Sequence, residues 1–219
     1  TNAGVILPDN TVLPWRWSLP KTPALAAVTG NLPAGTYMVC CTATLPDGRE
    51  TGATEAAVIT LTEGQALQIS WLTVGCNVYI APANSTVFQL AYEGYDTARL
   101  WNYSPSSLGI DLATDDFDPI PDGATVIQVW RGRLYAAQYI PSSDMTAVWI
   151  SQPLGFHLFD LATDFLAIPG KVHMLAPTDS ALVIGTDQAI RAWDGEALKT
   201  LATYGVVPGW CWARDDDEN

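Results

Sequence analysis

The chain has 219 residues, 48% hydrophobic and 15% charged, with 10 basic against 23 acidic side chains and a net charge of −13. That composition is too apolar for a disordered tail and long enough for one large or two modest domains. The charge excludes a surface built to hold phosphates, because nucleic-acid affinity rests on basic groups that release counterions.

No window of the sequence approaches the roughly 18 uninterrupted apolar residues of a membrane helix, so no membrane insertion is expected. No basic-then-apolar signal segment opens the chain. It starts at Thr1 and reads as a processed product or the ordered part of something longer.

Helical signals are nearly absent. The 15 prolines and 17 glycines are spread throughout, with short apolar runs between them, which is the pattern of many short strands. Residues 1–23 carry Pro8, Pro14, Pro20 and Pro23 and read as an extended lead-in segment. Residues 24–94 contain about six strand-like runs, the first two joined by Pro46-Asp47-Gly48, where Pro presets φ and Gly accepts a positive one. On the first run Tyr37, Val39, Cys41 and Ala43 share a face. This region is expected to be an Ig/fibronectin-like β-sandwich.

The cysteines Cys40, Cys41, Cys76 and Cys211 show no metal or disulfide spacing and read as buried small hydrophobes. A Cys41–Cys76 bridge is left open.

From residue 95 the rhythm changes to a repeat. "GIDLATDDFDPIPDG" (109–123) is echoed by "LFDLATDFLAIPG" (158–170) and by "LKTLATYGVVPG" (198–209). A tryptophan precedes each copy: Trp101, Trp149 and Trp193. The spacing of about 40–50 residues, with four strand-like runs per copy, is that of a four-stranded β-propeller blade. In the best-defined copy, residues 172–203, the turns are expected at Asp179-Ser180, Thr186-Asp187-Gln188 and Asp194-Gly195.

Residues 95–219 are therefore expected to form about three propeller-type blades, with Trp101, Trp149, Trp193, Leu112, Leu161 and Leu201 as blade core. Leu-Ala-Thr closes a blade and Pro-Gly crosses to the next. Three blades fall short of the four to eight that close a propeller. The expectation is thus open edges, a blade supplied by residues 1–23 or by a partner, or part of a larger propeller. The fold class read from the sequence is all-β, a sandwich followed by blades.

Trp15-Arg16-Trp17 and Trp210-Cys211-Trp212 place paired rings on one strand face, and Trp15, Trp17, Trp210 and Trp212 are the candidate contact surface. "SSDMTAVW" (142–149) resembles the Asp-box of sialidase propellers through Ser142, Asp144 and Trp149, but Thr146 stands where that box has Gly. The box is a folding element, and the seven arginines follow no substrate motif.

Asp115, Asp116 and Asp118 lack calcium-loop spacing and read as a solvated run or a channel lining. His157 and His173 lie apart, and no nucleophile, zinc or phosphate-loop motif occurs. No catalytic residue, cofactor or metal is expected.

"LPAGTYMVCCTATLPDGRETGATEAAVITL" and "VYIAPANSTVFQLAY" resemble the inserted sandwich module of tailed-bacteriophage virion proteins, with Leu32, Pro33, Ala34, Gly35, Tyr37, Asp47, Gly48, Glu50, Gly52 and Ala53 matching and Thr51 in place of Ser. "RGRLYAA", "AVWISQPLGFHLFD", "FLAIPGKVHMLAPTDSALVIGTD" and "YGVVPG" are similar to the blades of phage tail nozzle or hub proteins.

The resemblance implies an architectural, non-enzymatic role in a virion tail assembled in the host cytoplasm. The implied partners are copies of the chain in a ring, other tail proteins, and DNA that passes without specific binding. The acidic charge fits such a lumen, where like charges repel. The alternatives are a virion-surface glycan- or receptor-binding module and a degenerate sialidase-like enzyme.

Overall fold

A computed structural model describes residues 4–6, 10–95, 98–209 and 212–213. Among these there are strands, turns and one short 3-10 turn at Pro105–Ser107, and no α-helix. The chain divides into two compact units, Trp17–Pro119 and the flanking Thr1–Arg16 with Ile120–Asn219. Strands β1 (Gly4–Ile6) and β2 (Val12–Pro14) pair as a short antiparallel ribbon in the flanking unit.

In the unit Trp17–Pro119, β3 (Ala24–Thr29), β4 (Gly35–Ala43), β5 (Ala57–Leu61), β6 (Gln65–Ser70), β7 (Cys76–Ala81), β8 (Gln89–Tyr95) and β9 (Arg99–Trp101) form two antiparallel sheets. Their orders are β5-β4-β7-β8 and β3-β6-β9. Alternation makes the core: Tyr37, Val39 and Cys41 of β4 and Val78 and Ile80 of β7 face Leu67 and Ile69 of β6 and Trp101 of β9. The Tyr37 hydroxyl, inside this core, donates to the Pro33 carbonyl at 2.8 Å, as a buried phenol requires.

The reverse face of the four-stranded sheet is also dry. Cys40 and Tyr79 pack there beneath Leu112, Phe88 and Leu90. The covering segment runs in extended form along β8. Leu90 N donates to Ile110 O, Gly109 N to Leu90 O and Leu112 N to Phe88 O, at 2.8–2.9 Å.

The same strap continues over the loop that follows β4, where Ala53 N donates to Thr114 O and the Thr114 hydroxyl donates to Thr51 O. The Pro46-Asp47-Gly48 turn forms as expected, with Gly48 at φ +84° and Arg49 paired to Asp47 at 2.5 Å. Beyond it the Glu50 carboxylate accepts from the hydroxyls of Thr42 and Tyr79 and the amide of Asn77.

In the other unit, β10 (Ala124–Trp130), β11 (Arg133–Ile140), β12 (Met145–Gln152), β13 (Gly155–Phe159) and β14 (Phe165–Pro169) make one sheet. β12 bonds β14 along one stretch and β13 along its end. β15 (Val172–Pro177), β16 (Leu182–Thr186), β17 (Ile190–Trp193) and β18 (Leu198–Ala202) make a four-stranded meander. Its three turns fall at the Asp179-Ser180, Asp187-Gln188 and Asp194-Gly195 positions read from the sequence.

One core joins the two sheets, with Tyr135, Val148 and Ile168 against Val172, Leu182 and Ile184. β10 and β15 lie side by side. The far face of the first sheet packs Leu134, Ala136 and Phe159 against Ile120, Trp15, Trp149 and Leu161.

The three Leu-Ala-Thr copies are not structurally equivalent. Leu112 is in the strap of the unit Trp17–Pro119, and Trp101 is in that unit's core, so neither belongs to the later sheets. Leu161 sits in the turn between β13 and β14, half-buried on the far face. Leu201 lies in edge strand β18 and is 61% exposed, not core. The same tripeptide thus serves three different settings, an extended strap, a turn and an edge strand.

Two expectations follow from this packing. Gly52 lies so close to the segment that follows the strap that a methyl there would stand 1.7 Å from the Phe117 carbonyl oxygen. Gly52→Ala is expected to cost about 2–3 kcal/mol, read as a lower urea midpoint by tryptophan fluorescence; an unshifted midpoint would show that this close approach carries no packing.

Cys40, Cys41 and Cys76 are buried thiols, not halves of a disulfide. Burial first, then the charges of Asp115 and Glu50, push the Cys40 thiol up to about 12. Hydrogen bonding to Cys76, and then burial, raise Cys41 as well. In a Cys211→Ser variant, Ellman's reagent at pH 8 should find no fast thiol until guanidinium unfolds the chain, since only the exposed thiolate reacts.

Candidate functional site: an aromatic and arginine pocket

The pocket starts from a two-residue turn. Between β10 and β11, Arg131 and Gly132 have φ of +46° and +70°. These are the paired left-handed conformations that suit the twist of a tight hairpin. The turn lays the Arg131 guanidinium over the Trp130 ring, 4.5 Å from its centroid. The guanidinium also donates to the carbonyls of Asp194 (3.0 Å), Asp179 (3.1 Å) and Ser180 (3.3 Å). Trp130 Nε1 donates to the Thr178 carbonyl at 2.7 Å.

One hairpin is thus bolted to two turns of the next sheet. The second of these turns is rigid in its own right. The Asp194 carboxylate accepts from the backbone N–H groups of Ala197 and Glu196 and from Lys199, which together hold it well below the usual carboxylate range, at about 2.

A cavity of about 400 Å³ opens beside this bolt. Its apolar walls are the rings of Trp130, Tyr135, Phe165 and Trp193. Arg131, Arg133 and Asp164 supply its charges. Arg133 is oriented by a 3.0 Å bond to the Ser151 carbonyl and lies 3.6 Å from Asp164 Oδ2, which also accepts from Gln152 at 3.1 Å. Aromatic faces with a few fixed polar groups are the ordinary makeup of a small-ligand site.

The candidates read from the sequence are dispersed. Trp193 lines the pocket. Trp149 lies on the first sheet, donating from Nε1 to Gln138 at 3.0 Å and packing on Phe165. Trp15 is half-buried against Phe156. Trp17 is only 6% exposed, inside the unit Trp17–Pro119, so it offers no contact surface. The alternation that pairs it with Trp15 on one strand face fails because the chain passes between units at this point. Trp212 is exposed, and Trp210 lies outside the described residues.

Asp115, Asp116 and Asp118 are exposed, just after the strap. Among the described residues no group of His, Cys, Asp and Glu is placed to hold a metal ion. No helix of the described residues is long and apolar enough to cross a membrane.

The Asp-box departure has a structural reason. Asp144 takes the turn at φ +52° and accepts from the Tyr139 hydroxyl. Thr146 lies already in β12, where its buried hydroxyl donates to Gly170 O and accepts from Val172 N. A glycine there would remove that link.

Sequence reasoning missed the pocket because it weighted tryptophans that recur. The signal was "WRGRLY" (130–135), two arginines and two rings around one glycine.

The chain matches no family model, curated protein or solved structure.

The bolt can be tested directly. Arg131→Gln removes the plane that stacks and the charge that serves three carbonyls, and is expected to cost about 1–2 kcal/mol. Arg131→Lys should not restore it, because an ammonium cannot reproduce the fork. Urea denaturation of both variants reads this out, and a wild-type midpoint for either would show the bolt to be idle.

Proposed function

We propose that the chain is a non-enzymatic structural component of a bacteriophage tail, of nozzle or hub type, forming part of a ring around the DNA exit channel. In this reading the unit Trp17–Pro119 is an Ig/fibronectin-like module, and the two later sheets are successive propeller-type blades. The resemblance of the Leu32–Ala53 motifs to phage virion modules supports the first assignment. Consecutive antiparallel sheets sharing a core, with first strands β10 and β15 side by side, support the second.

The observation that carries the assembly reading is the last edge. Among the described residues β18 pairs with β17 alone. Leu201, Tyr204 and Val207, on that strand and just after it, are 61%, 70% and 76% exposed. An unpaired edge flanked by exposed apolar side chains is a liability for a monomer and an asset for a subunit. The net charge of −13 and the exposed Asp115, Asp116 and Asp118 suit a surface that DNA passes without being held.

The test is the mass of the purified chain by light scattering, with negative-stain imaging of the same sample. A closed oligomer of one defined order is expected, with Leu201→Asp and Val207→Asp each shifting it to monomer at unchanged thermal stability. A wild-type monomer at every concentration, or rings that survive both substitutions, would overturn this role for the edge.

A further inference from the structure

We propose that the pocket beside Arg131 is a binding site for a carboxylate-bearing saccharide, such as a uronic acid unit of a polysaccharide. The inference does not depend on the ring reading, and nothing in its test turns on oligomeric state.

Three observations point to this ligand class. The pocket is locally cationic within a strongly acidic chain: Arg131 and Arg133 reach it, against the single carboxylate of Asp164. A surplus of fixed guanidinium groups selects an anion, and their planar fork suits a carboxylate.

The walls fit the rest of a sugar. Flat rings at Trp130, Tyr135, Phe165 and Trp193 offer apolar faces to the C–H face of a pyranose. Asp164 accepts a hydrogen bond from Gln152 through Oδ2, and among the described residues no donor bonds its other oxygen, which suits a sugar hydroxyl.

The site is also preorganised. Arg131 and Trp130 are pinned to the carbonyls of residues 178–180 and 194, and Arg133 to Ser151. Side chains already immobilised lose little entropy on binding. A phosphate backbone is disfavoured as the occupant, because it would bring many charges to a chain of −13. A neutral sugar would leave the cationic surplus unused.

Isothermal titration of the full chain with galacturonate and guluronate trimers tests the proposal, using their methyl esters and a triglutamate peptide as comparisons. At least one uronate trimer should bind, with ester and peptide weaker by roughly tenfold or more. Arg133→Gln should weaken the uronate by about 10- to 100-fold, as expected for a lost charge-assisted contact. Phe165→Leu, which removes the flat ring at a side chain 41% exposed but keeps an apolar group against Trp149, should weaken it by more than any shift in the urea midpoint accounts for, which separates binding from folding. No heat from either uronate at millimolar concentration, equal affinity for ester or peptide, or full binding by Arg133→Gln would each overturn the assignment.

Discussion

With no α-helix among the described residues, every apolar sheet face in this chain has to be covered by another sheet or by an extended strap. A sheet hides one face easily by packing on a neighbour; the second face needs a separate cover. β4 shows the consequence. Val39, Cys40, Cys41 and Thr42 are all buried, because the three-stranded sheet covers one side and residues 109–114 cover the other. The first sheet of the flanking unit follows the same rule, with the second sheet on one face and Trp15, Ile120 and Leu161 on the other.

This constraint explains both what the sequence discloses and what it hides. Turn chemistry is local, so Pro46-Asp47-Gly48 and the three turns of the last meander were legible residue by residue. Alternation in β4 and β7 was legible for the same reason. The role of Leu112 was not. A strap that bonds to an edge strand and presents one leucine inward has the same local pattern as a strand that closes a sheet. Only the nonlocal partners, Leu90 and Phe88, distinguish the two. Trp101 was misplaced for a related reason, since its core partners Tyr37 and Leu67 lie far back in the chain.

Several residues of the Leu32–Ala53 stretch have structural work here. Tyr37 closes on Pro33, Glu50 gathers three donors, and Gly52 admits the segment that follows the strap. None of them faces the cavity lined by Trp130, Arg131 and Arg133. A motif of this kind reports how a unit holds together, and it is silent about what the chain meets.

The pocket obeys a different logic. Its aromatic and arginine side chains sit where the turn between β10 and β11 meets two turns of the next sheet. The hydrogen bonds that hold those turns together do not by themselves dictate the lining. Turn ends usually carry small polar residues that water satisfies, whereas here a guanidinium is spent on capping carbonyls and four rings are left beside it. It is this departure from ordinary turn composition, and not the existence of a cleft, on which the proposed uronate site rests.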